Sequence, residues 1–195
     1  DDIAAILDAL GVHDPIILCG LSMGGYVAFQ FWRKYRERLR ALVLCDTRAV
    51  ADTPEAAQGR REQMKRVRSE GVQPVATAMI GKLFAPQTIS NQAQLVERER
   101  KTMLFADPAG VAAALEALAT RPDVSDYLPE IACPTLVVVG QHDAISPVAE
   151  MRTLAAAIPK AEFVVLEDCG HMSPLENPRA FNGALQGFVN RVQTA

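Results

Sequence analysis

The stretch Cys19-Gly20-Leu21-Ser22-Met23-Gly24-Gly25 sets a serine between glycines in the pattern Gly-x-Ser-x-Gly. An apolar run, residues 15–19, leads into it, and a helix-like stretch, residues 26–35, leaves it. At a strand–turn–helix bend of this kind the hydroxyl is pushed out to where a base and a substrate can reach it. Gly20 and Gly24 are expected to be glycines because side chains there would collide where strand and helix crowd together. A serine hydroxyl is a poor nucleophile at neutral pH, so this chemistry needs a base to take its proton and an acid group to orient that base. Of the three histidines, His171 follows Gly170 just after the apolar run 162–166 and is the candidate base. Asp143, which closes Gly140-Gln141-His142-Asp143 after the run 133–140, is the candidate acid; its bland alternative is a turn or helix-cap residue. Asp46 is the rival acid, because it too ends an apolar run, residues 41–45. Asp168 lies so close to His171 that it reads as a local turn cap, His142 as a rim residue and His13 as an exposed turn residue.

These residues need a frame. The unbroken apolar runs at 15–19, 41–45, 133–140 and 162–166 are what a parallel sheet covered on both faces requires. Functional groups of such sheets gather beyond the carboxyl ends of the strands, where Ser22, Asp143 and His171 all fall. Ile3, Ile6, Leu7 and Leu10 give an amphipathic helix ending near Gly11. Trp32 and Tyr35 read as packing residues of the helix after Ser22, and the basic run Arg33 to Arg40 as a solvated helix end. Between residues 49 and 127 the texture is helical without strands, with helices expected near 54–70, 73–83, 88–105 and 108–120. Met79, Phe84, Met103, Leu104 and Phe105 on these could line an apolar pocket. A helix spans 149–158, and a last one starts at Asn177-Pro178 with an N-cap and a proline in the first position.

Composition narrows the classes. The chain has 195 residues, 49% of them hydrophobic and 22% charged, which is long enough for one good core. A net charge of −3 gives no basic stripe for nucleic acid. No apolar run approaches the roughly 20 residues that span a bilayer, and no signal peptide opens the sequence, so a cytoplasmic protein is expected. Cys19, Cys45, Cys133 and Cys169 form no CxxC pair and lack a histidine cluster; buried reduced thiols are expected rather than zinc or disulfides.

The segments Gly20-Leu21-Ser22-Met23-Gly24-Gly25, Gly140-Gln141-His142-Asp143 with Pro147, and Gly170-His171 with Pro174-Leu175-Glu176-Asn177-Pro178 closely resemble the α/β-hydrolase superfamily. The match is to its small bacterial esterase branch, with enol-lactone hydrolases, carboxylesterases and cofactor-free haloperoxidases. Haloalkane dehalogenases are similar but use an aspartate nucleophile, against which Ser22 argues. The resemblance implies an α/β fold: a parallel sheet of about four strands, the C-terminal half of the family's sheet, flanked by helices and carrying an inserted all-helical cap. The core would be residues 1–48 and 126–195, and the cap 49–125. It implies a serine hydrolase that cleaves a small carboxylic ester or lactone through an acyl-enzyme, with no metal or organic cofactor. Ser22, Asp143 and His171 would be the triad and the Met23 N–H an oxyanion-hole donor. Leu21, Phe84, Met103, Phe105 and Ile145 are the candidate substrate-binding residues. A hydrolase-fold binding or signalling protein with little turnover, and a haloperoxidase or perhydrolase, are the alternatives.

One departure from the family is large. Its first four strands would precede the serine turn, whereas here only a helix does. The strand beside residues 15–19 and the loop with the second oxyanion-hole N–H would belong to that part. Residues 15–19 are then an unprotected edge open to self-association, and loss of one oxyanion donor typically lowers turnover about 100- to 1000-fold. A fragment of a longer enzyme is the expectation, ahead of a partner chain on the edge or an enzyme that has lost most activity.

Overall fold

Residues 1–194 are described in a computed structural model, in which the apolar runs become β1 (Ile16–Leu21), β2 (Leu39–Cys45), β3 (Thr135–Gly140) and β4 (Ala161–Leu166). They form one parallel sheet in the order β1-β2-β3-β4. Helices α1 (Asp2–Ala9) and α2 (Met23–Tyr35) stand on either side of β1 in the chain. Between β2 and β3 come α3 (Pro54–Glu70), α4 (Gln73–Leu83), α5 (Pro86–Asn91), α6 (Ala93–Leu104) and α7 (Pro108–Ala119). Helix α8 (Val148–Ala157) joins β3 to β4, and α9 (Ser173–Glu176) and α10 (Pro178–Thr194) follow.

The pleat sorts the core into two layers. Leu42, Leu44, Val137 and Val139 pack with Phe29 and Trp32 of α2 and Met151 and Leu154 of α8. Ala41, Val43, Cys45, Leu136 and Val138 face the other way, toward Phe181 and Phe188 of α10. Alternate residues thus serve opposite faces, and each fully buried Leu, Val or Phe contributes roughly 1.5–3 kcal/mol. This explains the unbroken apolar spelling of β2 and β3.

Local signals set the helix starts. Pro54, Pro86 and Pro108 each occupy the first turn of a helix, Thr53 Oγ1 accepts from Ala56 N at 3.2 Å, and Asp107 accepts from Ala109 N and Gly110 N at 3.2 Å. The two ends of the helical segment are pinned together beside the sheet. Val124 N donates to Ala49 O at 3.0 Å, and Arg121 donates to Val50 O at 3.0 Å and to Asp52 Oδ1 at 2.7 Å. Among the described residues no single helix is long and apolar enough to cross a membrane.

Several expectations need correction. The helix expected at 88–105 is two helices, α5 and α6, broken at Gln92, whose φ of −124° and ψ of 48° are not helical. Its side-chain amide reaches the Glu176 carbonyl at 3.2 Å, so a tertiary contact accompanies the break in the helical period. Cys19 is exposed and Cys133 only partly buried, rather than both being core thiols. β1 is an edge, and α10, the helix on that face, packs on β4 at the opposite edge. Ile6 and Leu10 of the first amphipathic segment are also exposed, while Ile3 and Leu7 pack on the core. Trp32 is buried, and the Tyr35 hydroxyl donates to Asp1 Oδ1 at 2.8 Å.

Candidate active site

Ser22 follows β1 directly, with φ 51° and ψ −112°. A non-glycine residue there costs of order 1–3 kcal/mol, so its surroundings must hold it. They do so through the backbone. Ser22 N donates to Cys45 O at 2.9 Å, and its carbonyl accepts from Gly25 N at 2.9 Å and from Thr47 Oγ1 at 2.7 Å. A Cβ on Gly20 would lie 2.3 Å from Gly24 O, so strand and helix do crowd at that point. Gly24 itself has open space, contrary to expectation; the second crowded glycine is Gly25, where a Cβ would meet Thr47 Oγ1 at 2.3 Å.

The loops after β3 and β4 bring two more side chains to this turn. His171 is 2% exposed, with Nε2 2.8 Å from Ser22 Oγ and Nδ1 2.8 Å from Asp143 Oδ2. Asp143 is 5% exposed, and its other oxygen accepts from Ile145 N at 2.7 Å and Ser146 N at 2.9 Å. The same carboxylate therefore caps its own turn and faces the imidazole. With a carboxylate on Nδ1, the neutral ring carries its proton there and offers Nε2 as an acceptor to the hydroxyl. Such a relay can take the hydroxyl proton as oxygen attacks a carbonyl, and return it to a leaving group.

The rivals have other partners. Asp46 is buried, with φ 46°; its Oδ1 accepts from Gly140 N at 2.8 Å and its Oδ2 from Ser173 Oγ at 2.6 Å. Burial pushes its carboxyl up to about 8; the neighbouring Asp143 charge adds to this, while the Ser173 and Gly140 hydrogen bonds oppose it. Asp168 sits in a turn with φ 59° and accepts from Gln87 Nε2 at 2.7 Å. His142 is exposed and lines an open cleft of about 470 Å³ with Phe84, Pro86 and Ile89.

The residues expected to line one apolar pocket are dispersed. Phe84 belongs to the His142 cleft, whereas Met79 and Met103 line a separate apolar cavity of about 200 Å³ with Val72, Val75 and Val111. Phe105 is 89% exposed and stands outside both. Leu21, the last residue of β1, and Ile145, in the Asp143 turn, are half-buried. Met23 begins α2, where a helix leaves its first amides without intrahelical partners.

Sequence reasoning missed the supports. Thr47 bonds the Ser22 carbonyl, Ser173 bonds Asp46, and the Glu176 carboxylate accepts from Gly170 N at 2.8 Å. The signal for the last was the Pro-Leu-Glu-Asn-Pro run after His171, which marked a family pattern without indicating a partner.

The profile of the alpha/beta hydrolase fold family matches residues 1–178. A 3-oxoadipate enol-lactonase of Acinetobacter baylyi is 31% identical over 97% of this chain and 69% of its own length. A thermophilic esterase from Thermogutta terrifontis, solved with malate bound, superposes with a TM-score of 0.96 at 49% identity, over 98% of this chain and 71% of that one. The enol-lactonase from Burkholderia xenovorans LB400 superposes with a TM-score of 0.88 at 29% identity, over 97% and 70%.

Proposed function

The chain belongs to the α/β-hydrolase fold family, and we propose that it is a serine hydrolase cleaving a small carboxylic ester or lactone through an acyl-enzyme on Ser22. The observation that carries this is the hydrogen-bonded line from Ser22 through His171 to Asp143, each contact 2.8 Å, assembled from three loops at the carboxyl ends of the strands. His171 takes the Ser22 proton as Oγ attacks the carbonyl carbon, and passes it to the departing alkoxide. Asp143 holds the ring tautomer and stabilises the imidazolium. Water then repeats the cycle on the acyl-enzyme and releases the acid. The Met23 N–H is one donor to the oxyanion, and the family pattern draws a second from a loop ahead of the serine-bearing strand.

The names of the similar enol-lactonases and esterase support the ester or lactone class. Residues 49–125, leaving and rejoining the sheet through paired ends, act as the cap, and the apolar cavity at Met79 and Met103 is its best candidate for an acyl group. His142 and Phe84 border the cleft beside the acid loop. The test is labelling with a fluorophosphonate, with hydrolysis of p-nitrophenyl acetate alongside. Ser22 labels, and Ser22→Ala abolishes both labelling and hydrolysis. Labelling without turnover above background would favour a hydrolase-fold binding protein; no labelling at Ser22 removes the nucleophile assignment.

A further inference from the structure

Resting on the reading of His171 as the base, we infer that Glu176 is a positioning residue that ties the His171 loop to residues 83–92 of the helical segment. The seating of that segment then sets the imidazole on Ser22. Glu176 is buried, and one carboxylate serves three donors. Its Oε1 accepts from Gly170 N, the peptide just before His171, at 2.8 Å. Its Oε2 accepts from Ala85 N at 2.8 Å and from Thr88 Oγ1 at 2.7 Å, both on the helical segment. On the other side of the imidazole, Met172 N donates to Leu83 O at 3.0 Å. The Glu176 carbonyl accepts from Gln92 Nε2 at 3.2 Å.

His171 therefore stands between two residues whose amides are engaged, one directly with the segment and one through Glu176. The fit is close as well as bonded. A Cβ on Gly170 would lie 2.6 Å from Ala85 N and 2.8 Å from Phe84 C, so the segment's backbone rests on the His171 loop. These donors are neutral, so lifting residues 85–88 away would strip a buried carboxylate of two of its three hydrogen bonds. A buried acceptor left without partners bears its full desolvation penalty, more so when charged. Segment and loop accordingly move as one, and displacement of residues 83–92 is transmitted to the ring.

The experiment compares the wild type with Thr88→Val and Glu176→Gln, measuring the saturating rate of fluorophosphonate labelling per folded molecule and the probe concentration that gives half that rate. Thr88→Val removes one hydroxyl at nearly constant shape. Glu176→Gln turns an amide donor toward Ala85 or Gly170. If Glu176 positions the base, the saturating rate falls about threefold to tenfold in Thr88→Val and about tenfold to 100-fold in Glu176→Gln, with the half-saturating concentration unchanged. A purely structural role would lower the folded fraction and leave the rate per folded molecule as in the wild type. A wild type that labels alongside variants that label equally fast overturns the positioning role and leaves Ser22 as nucleophile. A wild type that does not label overturns the reading of the site and this inference with it. Should Glu176→Gln fail to fold, Thr88→Val alone decides.

Discussion

Asp46 is a carboxyl group fully buried beside Asp143, and its proton affinity is raised to about 8 chiefly by that burial. In the unfolded chain an aspartate titrates near about 3.9. Between these values the folded state holds a proton that the unfolded state lacks, so the Asp46 contribution to stability is fully present below about 3.9 and is lost as the pH rises toward about 8. Asp46→Asn keeps an acceptor for Gly140 and puts a donor toward Ser173, yet cannot titrate. The urea midpoint of the wild type relative to Asp46→Asn should therefore fall across this window; a difference constant with pH would show that Asp46 does not carry its proton there. The position of Asp46 at a strand end was legible in the sequence, as were Ser22, Asp143 and His171, because each follows an apolar run within a short pattern. Its preference for a proton was not, because that depends on burial and on Gly140, Asp143 and Ser173, all distant in the chain. The exchange of Gly24 for Gly25 as the crowded glycine was hidden for the same reason: Thr47, which fills the space, lies beyond the next strand.

At the scale of elements, the strands and most helix bounds were legible because burial on both faces and proline starts are written locally. The break at Gln92 and the docking of residues 83–92 were not, since both involve contacts with residues around Glu176. That docking yields a contrast between two glycines. A methyl on Gly170 meets backbone atoms that cannot swing aside, whereas on Gly183, in α10, it meets nothing within 4 Å. Overpacking costs typically 1–3 kcal/mol, so Gly170→Ala should lower Tm by roughly 2–12 °C and slow labelling of Ser22. Gly183→Ala should instead raise stability by about 0.4–1 kcal/mol, because alanine restricts the unfolded chain and suits a helix. Calorimetry on both variants checks the pair, and equal shifts would show that the His171 loop yields to the helical segment.

At the level of the sheet, β1 is an edge strand paired only with β2 among the described residues. Ile16, Ile17, Leu18 and Leu21 there are half-buried and Cys19 is exposed, so the strand offers unpaired peptide groups with apolar flanks and no charge to deter pairing. At the other edge, β4 carries Glu162, which bonds to Arg191 of α10, and so presents a charged pair to an approaching strand. The asymmetry makes β1 the edge expected to associate. We expect the 195-residue chain to self-associate as its concentration rises, read by light scattering, and Cys19→Lys to shift that association to higher concentration. The thiol is exposed apart from its 3.9 Å contact with the buried Cys45 Sγ, so Cys19→Lys gives up that contact while the added charge opposes edge-to-edge approach. A wild type that stays monomeric and folded at high concentration would show that the β1 edge needs no cover. Association unaffected by Cys19→Lys would place the contact elsewhere. Because β1 delivers Ser22, pairing along its edge would also stiffen the serine turn, so the labelling rate of Ser22 should rise with the associated fraction in the wild type and lag in Cys19→Lys.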